Sequence, residues 1–242
     1  MKLSMRKIKV LFGKDFADVY KNPTVFIMIL MPILFVLLFK MLGIADLVED
    51  NSGFYLLNVG TLMNCAMSGV MLTCTMIAEE KEKYTLRTLM LSNVKGGEFL
   101  VSKLAVNFIM TTVGNIVIFL LSGTGLKTLV FYVPVTLLGI LPVCLISAVL
   151  GLMSRDQMSC GVLQVPVMLL FLMPPIFGEL NQVLRYIAMA TPLNAMMNLY
   201  YRAADGILLQ RDTLLHLLVL AVWIVIAAAA FKIAYGKKGL DN

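Results

Sequence analysis

The chain has 242 residues, of which 60% are hydrophobic and 14% are charged, and its mean hydropathy is +0.90. Soluble domains carry about 25% charged residues, so this composition excludes an ordinary soluble domain and indicates a protein of the lipid bilayer. The net charge of +6 fits membrane topology and contact with anionic membrane lipids at the inner leaflet, and we predict no nucleic-acid partner.

Residues 1–23 are predicted to form an amphipathic helix in the cytoplasmic membrane interface. Lys and Arg residues lie opposite an apolar face whose members recur at helical spacing. That face comprises Ile8, Leu11, Phe12, Phe16, Val19 and Tyr20. Asn22 and Pro23 predict a helix cap and the start of the first span. Two roles stay open for this helix, a topological anchor and an element that takes part in gating.

Residues 24–242 are predicted to form one all-α integral membrane domain with six transmembrane helices, TM1 to TM6. About 20 apolar residues cross 30 Å of hydrocarbon as a helix, and backbone groups in lipid must bond within their own segment. The predicted spans are residues 24–43, 54–78, 100–126, 128–154, 159–177 and 213–234.

The basic residues predict the orientation of these spans. With a cytoplasmic N-terminus, most of the 20 Lys and Arg residues fall inside, and the exceptions are Lys40, Lys127, Arg185, Arg202 and Arg211. By the positive-inside rule, both termini and the connection between TM2 and TM3 are cytoplasmic. We therefore expect a multi-pass protein of the plasma membrane.

The segment between TM5 and TM6, residues 178–206, is too polar and too interrupted to span. It can form two short amphipathic helices broken at Thr191 and Pro192. Such pieces are tolerated at membrane depth only where they pack on protein or line a cavity, so we predict a re-entrant helix pair. The candidates for an outer gate are Pro174, Pro175, Pro192 and Asn194.

Polar side chains inside the spans have two interpretations. They line a path for substrate, or they bond between helices and hold the bundle together. The candidates for the path are Asn64, Ser68, Asn107, Thr111, Asn115 and Gln164.

The sequence offers no candidate catalytic or metal site. Cys65, Cys74, Cys144 and Cys160 all fall inside spans without a CxxC pair or a His/Cys cluster. We expect them to be small buried apolar residues rather than members of a disulfide framework. The single histidine, His216, is interpreted as an interfacial residue rather than a proton relay.

The connection between TM2 and TM3 concentrates charge in a chain that otherwise has little. If residues 78–91 are helical, Glu79 and Lys83 form an i, i+4 pair. An apolar strip on the same helix comprises Leu86, Leu89, Met90 and Val94. The pattern suits either a protein-docking surface or a solvated face.

This connection resembles that of ABC-2 type transporter permeases, which read "E-x-E-x-G-T-L-x-x-L-L-x-x-P" and then "E-x-x-x-G-K". The matching residues are Glu79-Glu80-Lys81-Glu82-Lys83, Thr85-Leu86-Arg87-Thr88-Leu89, Leu91-Ser92, Glu98-Phe99-Leu100 and Lys103. The N-terminal helix, the six spans and the broken helix pair before the sixth span also match. The chain departs from the family at Tyr84, where glycine is usual, and at Asn93 and Val94, near the usual proline.

The resemblance implies a coupling helix that docks on a separate ABC ATPase subunit, with the N-terminal helix as a second contact. It also implies a second permease chain, identical or related, and export of an amphipathic substrate such as a drug, peptide or lipid-like molecule. This chain lacks G-x-x-x-x-G-K-[ST], so we expect it to bind no cofactor itself, with ATP and Mg²⁺ on the partner. The implied coupling residues are Glu79, Glu80, Glu82, Lys83, Thr85, Leu86 and Arg87.

Three other classes remain as alternatives. A secondary transporter or channel usually carries ionisable residues inside its spans. A membrane enzyme needs a nucleophile and base or a metal cluster near a cavity. A non-transporting membrane scaffold would use the same docking helix, and only a transport or turnover measurement separates it from a permease.

Overall fold

The computed structural model describes residues 4–44, 52–178, 180–207 and 211–237, and the regular structure in these ranges is helical, without strands. Six helices in the described ranges are long and apolar enough to cross a membrane. The predicted all-α membrane fold with six spans is therefore confirmed. In chain order the helices are α1 Met5–Lys21, α2 Pro23–Met41 (TM1), α3 Ser52–Asn64, a π-helical turn Cys65–Gly69, α4 Val70–Glu82 (with α3 and the turn, TM2), α5 Thr85–Leu91, α6 Gly96–Ser122 (TM3), α7 Leu129–Met153 (TM4), α8 Gln157–Phe177 (TM5), α9 Gln182–Ala190, α10 Pro192–Ala204 and α11 Arg211–Lys237 (TM6).

Side-chain caps fix where several helices begin. Asn22 accepts a hydrogen bond from the backbone N–H of Thr24 at 3.0 Å, as expected for the cap of TM1. Asp156 does the same for TM5, accepting from the N–H of Ser159 at 2.7 Å. TM3 begins earlier than the predicted residue 100, because Glu98 bonds back to the N–H of Lys95 and starts the helix at Gly96.

TM2 lies at the centre of the bundle and is buried along most of its length, whereas TM1, TM5 and TM6 expose much of their apolar surface. Gly60 allows the backbone of TM2 to pack closely against TM1 and TM3. A Cβ atom at Gly60 would lie 2.5 Å from Val36 of TM1 and 2.7 Å from Ile118 of TM3. Small residues of this kind allow membrane helices to pack with their backbones close together.

TM2 also extends further than predicted at its C-terminal end. The continuous helix runs to Glu82 rather than to residue 78, so Glu79, Glu80 and Glu82 belong to the last turns of a span. The chain then breaks at Tyr84, whose φ of 57° is left-handed, and α5 follows as a separate short helix. The prediction of a single helix over residues 78–91 was therefore wrong.

Helix α10 packs beside TM4 and TM6, and α9 packs beside TM5. The two helices meet at Thr191 and Pro192, the predicted break. Trp223, in the middle of TM6, donates a hydrogen bond to the carbonyl oxygen of Ala190 at 2.6 Å. Met196 fills the space over Gly139 of TM4, where a Cβ atom would lie 2.2 Å from the Met196 sulfur. The buried helix of the pair is thus α10, while α9 buries only one residue, Ala188.

The cysteines depart from expectation. All four are buried, but Cys74 of TM2 and Cys160 of TM5 form a disulfide, and only Cys65 and Cys144 are free thiols. The expectation of four unpaired cysteines was wrong because TM2 packs directly on TM5 there. The Cα atoms of Cys74 and Cys160 are 6.4 Å apart, within the range a disulfide requires.

Candidate functional site

A lysine held between two carboxylates joins α1, TM2 and TM3 at one end of the bundle. The Nζ atom of Lys103 lies 3.1 Å from Oδ1 of Asp15 and 3.3 Å from Oε1 of Glu80. Lys103 and Asp15 are each only 2% exposed. Ser102 also donates a hydrogen bond to the Asp15 carboxylate. Separating these groups would leave a buried charge without a partner, so the contact is a strong restraint. We call Asp15, Glu80 and Lys103 the ionic cluster.

Glu80 extends the ionic cluster to two further groups. Its Oε1 atom is 2.6 Å from Nζ of Lys14, and its Oε2 atom accepts a hydrogen bond from Thr85 Oγ1 at 2.8 Å. Burial of Lys14 opposes its charge and is the largest influence, but the bond to Glu80 and the nearby carboxylates outweigh it. The pKa of Lys14 therefore lies above its ordinary value of 10.5. One carboxylate thus connects α1, TM2, TM3 and the start of α5.

Asp15 was not identified from the sequence, although a signal was present. Leu11, Asp15 and Val19 are spaced four residues apart and are the three buried residues of α1. An acidic residue on the apolar stripe of an amphipathic helix indicates a buried partner, since burying an isolated carboxylate costs several kcal/mol.

The two residues at the very end of TM2 bind the joint between TM4 and TM5. Lys81 donates hydrogen bonds from Nζ to the carbonyl oxygens of Gly151, Leu152 and Ser154 at 2.9, 2.8 and 2.8 Å. Glu82 accepts from the backbone N–H of Gln157 at 3.1 Å. A cation at the C-terminus of one helix and an anion at the N-terminus of the next both match the helix dipoles.

Glu79 holds the turn between α1 and TM1. Its Oε2 atom accepts from Asn22 Nδ2 at 2.7 Å. Its Oε1 atom is 2.5 Å from Nζ of Lys83, so the predicted i, i+4 pair is present. The three candidate glutamates of TM2 therefore all contact other parts of this chain.

Helix α5 has one covered and one open face. Leu86 and Leu89, with Met90 and Val94, pack against the buried side-chain cluster that includes Phe99. The predicted apolar strip therefore contacts this chain's own bundle. The open face carries Tyr84 and Leu91, which are 79% and 82% exposed, together with Arg87 and Thr88, which are also exposed.

The backbone is left-handed at Tyr84 and Asn93, two positions where the chain departs from the family pattern. Tyr84 occupies a left-handed conformation, which favours the glycine that is usual there. Asn93, at φ 60°, ends α5, and Asn tolerates this conformation better than most residues. The N–H of Val94 then bonds to the carbonyl oxygen of Leu89 at 3.2 Å, as in a Schellman cap.

The candidate path residues of TM2 and TM3 bond to one another. Asn64 donates to the carbonyl oxygen of Thr111 at 2.9 Å and to Asn115 Oδ1 at 2.7 Å. Asn107 donates to the carbonyl oxygen of Gly69, at the end of the π turn, at 2.9 Å. Further bonds link Ser68 to Asn64 and Thr111 to Asn107. We call Asn64, Ser68, Asn107, Thr111 and Asn115 the polar ladder.

The polar ladder is fully buried in the structure, and its hydrogen bonds favour the interpretation in which these residues hold helices together. The sixth candidate, Gln164, lies in TM5 away from this ladder. Its Oε1 atom lies 3.4 Å from Sγ of Cys160, the residue that forms the disulfide with Cys74.

The gate candidates lie away from the ionic cluster, Pro174 and Pro175 near the far end of TM5 and Pro192 and Asn194 beside Ala190, which bonds to the middle of TM6. Pro174 is buried and Pro175 half-buried near the end of TM5. Pro192 is buried at the start of α10, and the half-buried Asn194 accepts a hydrogen bond on its carbonyl oxygen from Asn198 at 2.9 Å. In the described part of the chain, no group of three or more His, Cys, Asp or Glu side chains is placed to hold a metal ion.

Comparison with known families gives one match. A family profile described as ABC-2 family transporter protein matches residues 46–231. That range includes TM2 to TM5, α5, the α9–α10 pair and most of TM6, whereas α1 lies outside it. No curated protein is significantly similar to the chain in sequence.

Proposed function

The chain belongs to the ABC-2 family of transporters, and from that premise we propose that it couples ATP hydrolysis by a separate subunit to export of an amphipathic substrate. It is a multi-pass membrane permease of an ABC-type system. The proposal concerns the coupling, the direction of transport and the cargo, for which a drug, peptide or lipid-like molecule suits a path almost without charge.

The arrangement of α5 is the observation that supports coupling. The helix is fixed to the bundle through its apolar strip and through Thr85, while its other face is open. An element held on one side and exposed on the other can transmit displacement from a partner to the spans. We propose that the open face, with Tyr84, Arg87 and Leu91, contacts the ATPase subunit.

The other candidate coupling residues take a different part in this proposal. Glu79, Glu80 and Glu82 pass movement of α5 to TM1, TM3 and TM5 through the bonds described above, rather than touching the partner. Lys83 and Leu86 hold α5 in place beside them. Helix α1 is a second contact with the ATPase, tied to the same end by the ionic cluster.

The remaining parts of the assembly follow from the same premise. The ionic cluster lies at the cytoplasmic face of the plasma membrane, so that both termini are cytoplasmic. ATP and Mg²⁺ bind to the ATPase partner, and this chain binds neither. A second permease chain, identical or related, covers part of the exposed apolar surface of TM1, TM5 and TM6, and lipid covers the rest.

The α9–α10 pair is proposed to be re-entrant and to close the outer side of the path. Pro174 and Pro175 interrupt the end of TM5, and Pro192 sets the break between the two short helices, so these positions can hinge. Asn194 would then lie on the moving side of the gate. In this proposal TM2 separates from TM3 when the path opens, which exposes the polar ladder and, in TM5, Gln164.

Reversing the charge at Arg87 tests the coupling. We expect Arg87→Glu to weaken capture of the ATPase subunit about tenfold or more and to reduce vanadate-sensitive ATP turnover in the purified complex, because arginine is enriched among the residues that dominate interface binding energy and the change also reverses its charge. The matched control is Arg155→Glu, the same change at an exposed position between TM4 and TM5.

Normal capture and turnover in Arg87→Glu would contradict the assignment of the open face of α5. If the chain carries substrate in vesicles without any ATPase, the secondary-transporter alternative replaces the proposal. If it recruits an ATPase but transports nothing, it is a scaffold.

A further inference from the structure

A cavity of about 560 Å³ opens beside the ionic cluster, between α1, the start of TM1, the end of TM2 and the start of TM5. Pockets that bind small ligands commonly measure about 300–1,000 Å³. Because α1 lies where TM1 begins, the cavity lies at the level at which the spans leave the hydrocarbon. A ligand can therefore enter it from the adjoining leaflet.

The walls of the cavity are of two kinds. Val19, Val25 and Met76 form an apolar wall and are all buried. The polar wall carries ammonium and carboxylate groups of nearly balanced charge, since Lys14, Lys21, Lys83 and Lys103 face Asp18, Glu79 and Glu80. A ligand that suits both walls is amphipathic and carries both signs of charge in its polar part.

Two of these charged groups remain available to a ligand. Lys21 is exposed and forms no ion pair within the described residues. Asp18 has only a 4.0 Å contact with Lys14. The other ammonium groups already face carboxylates at 3.3 Å or less. Lys21 and Asp18 thus form a cation and an anion on one helix, three residues apart, at the same cavity.

We propose that this cavity binds the phosphoethanolamine headgroup of a phospholipid from the leaflet at this end of the bundle. Lys21 receives the phosphate, and Asp18 accepts hydrogen bonds from the primary ammonium. A quaternary choline has no N–H to donate, and a glycerol headgroup has no positive charge for Asp18. The glycerol backbone lies along Val19 and Val25, and the acyl chains pass the exposed Phe26 at the start of TM1.

The test is lipid retention by the delipidated full chain, measured by native mass spectrometry with an equimolar mixture of dioleoyl phosphatidylethanolamine, phosphatidylcholine and phosphatidylglycerol. We expect one phosphatidylethanolamine to be retained preferentially. Lys21→Gln should reduce its retention at least fivefold, while Lys9→Gln, at an exposed position on the same helix that does not line the cavity, should not change it. Equal retention of the three lipids, or an equal effect of the two variants, would overturn the proposal.

Asp18→Asn provides a readout that a loss of structure would not give. It should remove the preference for phosphatidylethanolamine over phosphatidylglycerol while leaving total retention measurable, because only the ammonium contact is lost. An unchanged preference overturns the assigned orientation. Soluble O-phosphoethanolamine separates the two sources of this group: displacement of the lipid by it at micromolar concentration would assign the site to a soluble ligand and overturn the lipid. No part of this test requires ATP or an ATPase, so it can fail or succeed independently of the proposed coupling.

Discussion

The ionic cluster and the polar ladder join the same two helices, TM2 and TM3, at two depths. At 1.5 Å per residue, Asn115 lies about 18 Å along TM3 from Lys103. Near the end of the bundle the contacts are made by ionised groups, and further in they are made by amides and hydroxyls. The ionised groups lie near the ends of the spans, where α1 covers them. An ionised group at the centre of a bilayer would be costly, because its hydrogen bonds would not offset the loss of hydration. Replacing one residue of the ionic cluster should therefore change the free energy of unfolding by a different amount from replacing one residue of the polar ladder.

The largest expected effect is at Lys103. Lys103→Met leaves the buried Asp15 carboxylate without an ion pair among the described residues, and leaves Glu80 with Lys14 as its cation. We expect a loss of about 3–5 kcal/mol in the free energy of unfolding in mixed micelles. The variant that also carries Asp15→Asn and Glu80→Gln should recover most of that loss. A change below about 1 kcal/mol in the single variant would show that the ionic cluster is not a restraint.

A smaller effect is expected in the polar ladder at Asn64. Asn64→Leu removes its bonds to Thr111, Asn115 and Ser68 but leaves neutral groups that can find other partners, so we expect a loss of about 1–2 kcal/mol in the same unfolding measurement. Asn58→Leu is the matched control in TM2. The Oδ1 atom of Asn58 is buried without a hydrogen-bond partner among the described residues, so this change should not destabilise. Equal losses in both variants would mean that the ladder bonds contribute nothing specific.

The smallest effect is expected at Lys14, the more exposed partner of Glu80. Its side chain is 43% exposed, and ion pairs of this kind contribute about 0.2–1 kcal/mol. Lys14→Gln should therefore cost less than about 1 kcal/mol. The pKa of Lys14 in the folded protein is raised above 10.5. The difference in free energy of unfolding between Lys14→Gln and the unsubstituted protein should therefore be largest below about pH 10.5. It should vanish as the pH rises through the folded-state pKa. A difference that already disappears between pH 7 and 9 would contradict this assignment.

The sequence predicted the spans well because a helix in lipid is determined by local composition. It also predicted the Glu79–Lys83 pair, since both groups lie on one helix. It did not predict the partner of Asp15, because Lys103 is 88 residues away and only packing of α1 on TM3 brings the two together. The break at Tyr84 was missed for another reason, since a tyrosine gives no signal of a left-handed backbone. The disulfide likewise depended on the contact between TM2 and TM5.

The π-helical turn Cys65–Gly69 separates the two halves of TM2 and sets their rotational phase. A π turn closes its hydrogen bonds over one more residue than an α turn, and one residue of an α-helix corresponds to about 100° of rotation. With a plain α-helix in its place, Asn64 could still face TM3, but Lys81 and Glu82 would point away from the TM4–TM5 joint. The extra residue of the π turn therefore allows one span to contact different neighbours at its two ends. A change in this local winding would rotate one half of TM2 relative to the other without sliding the helix along its axis.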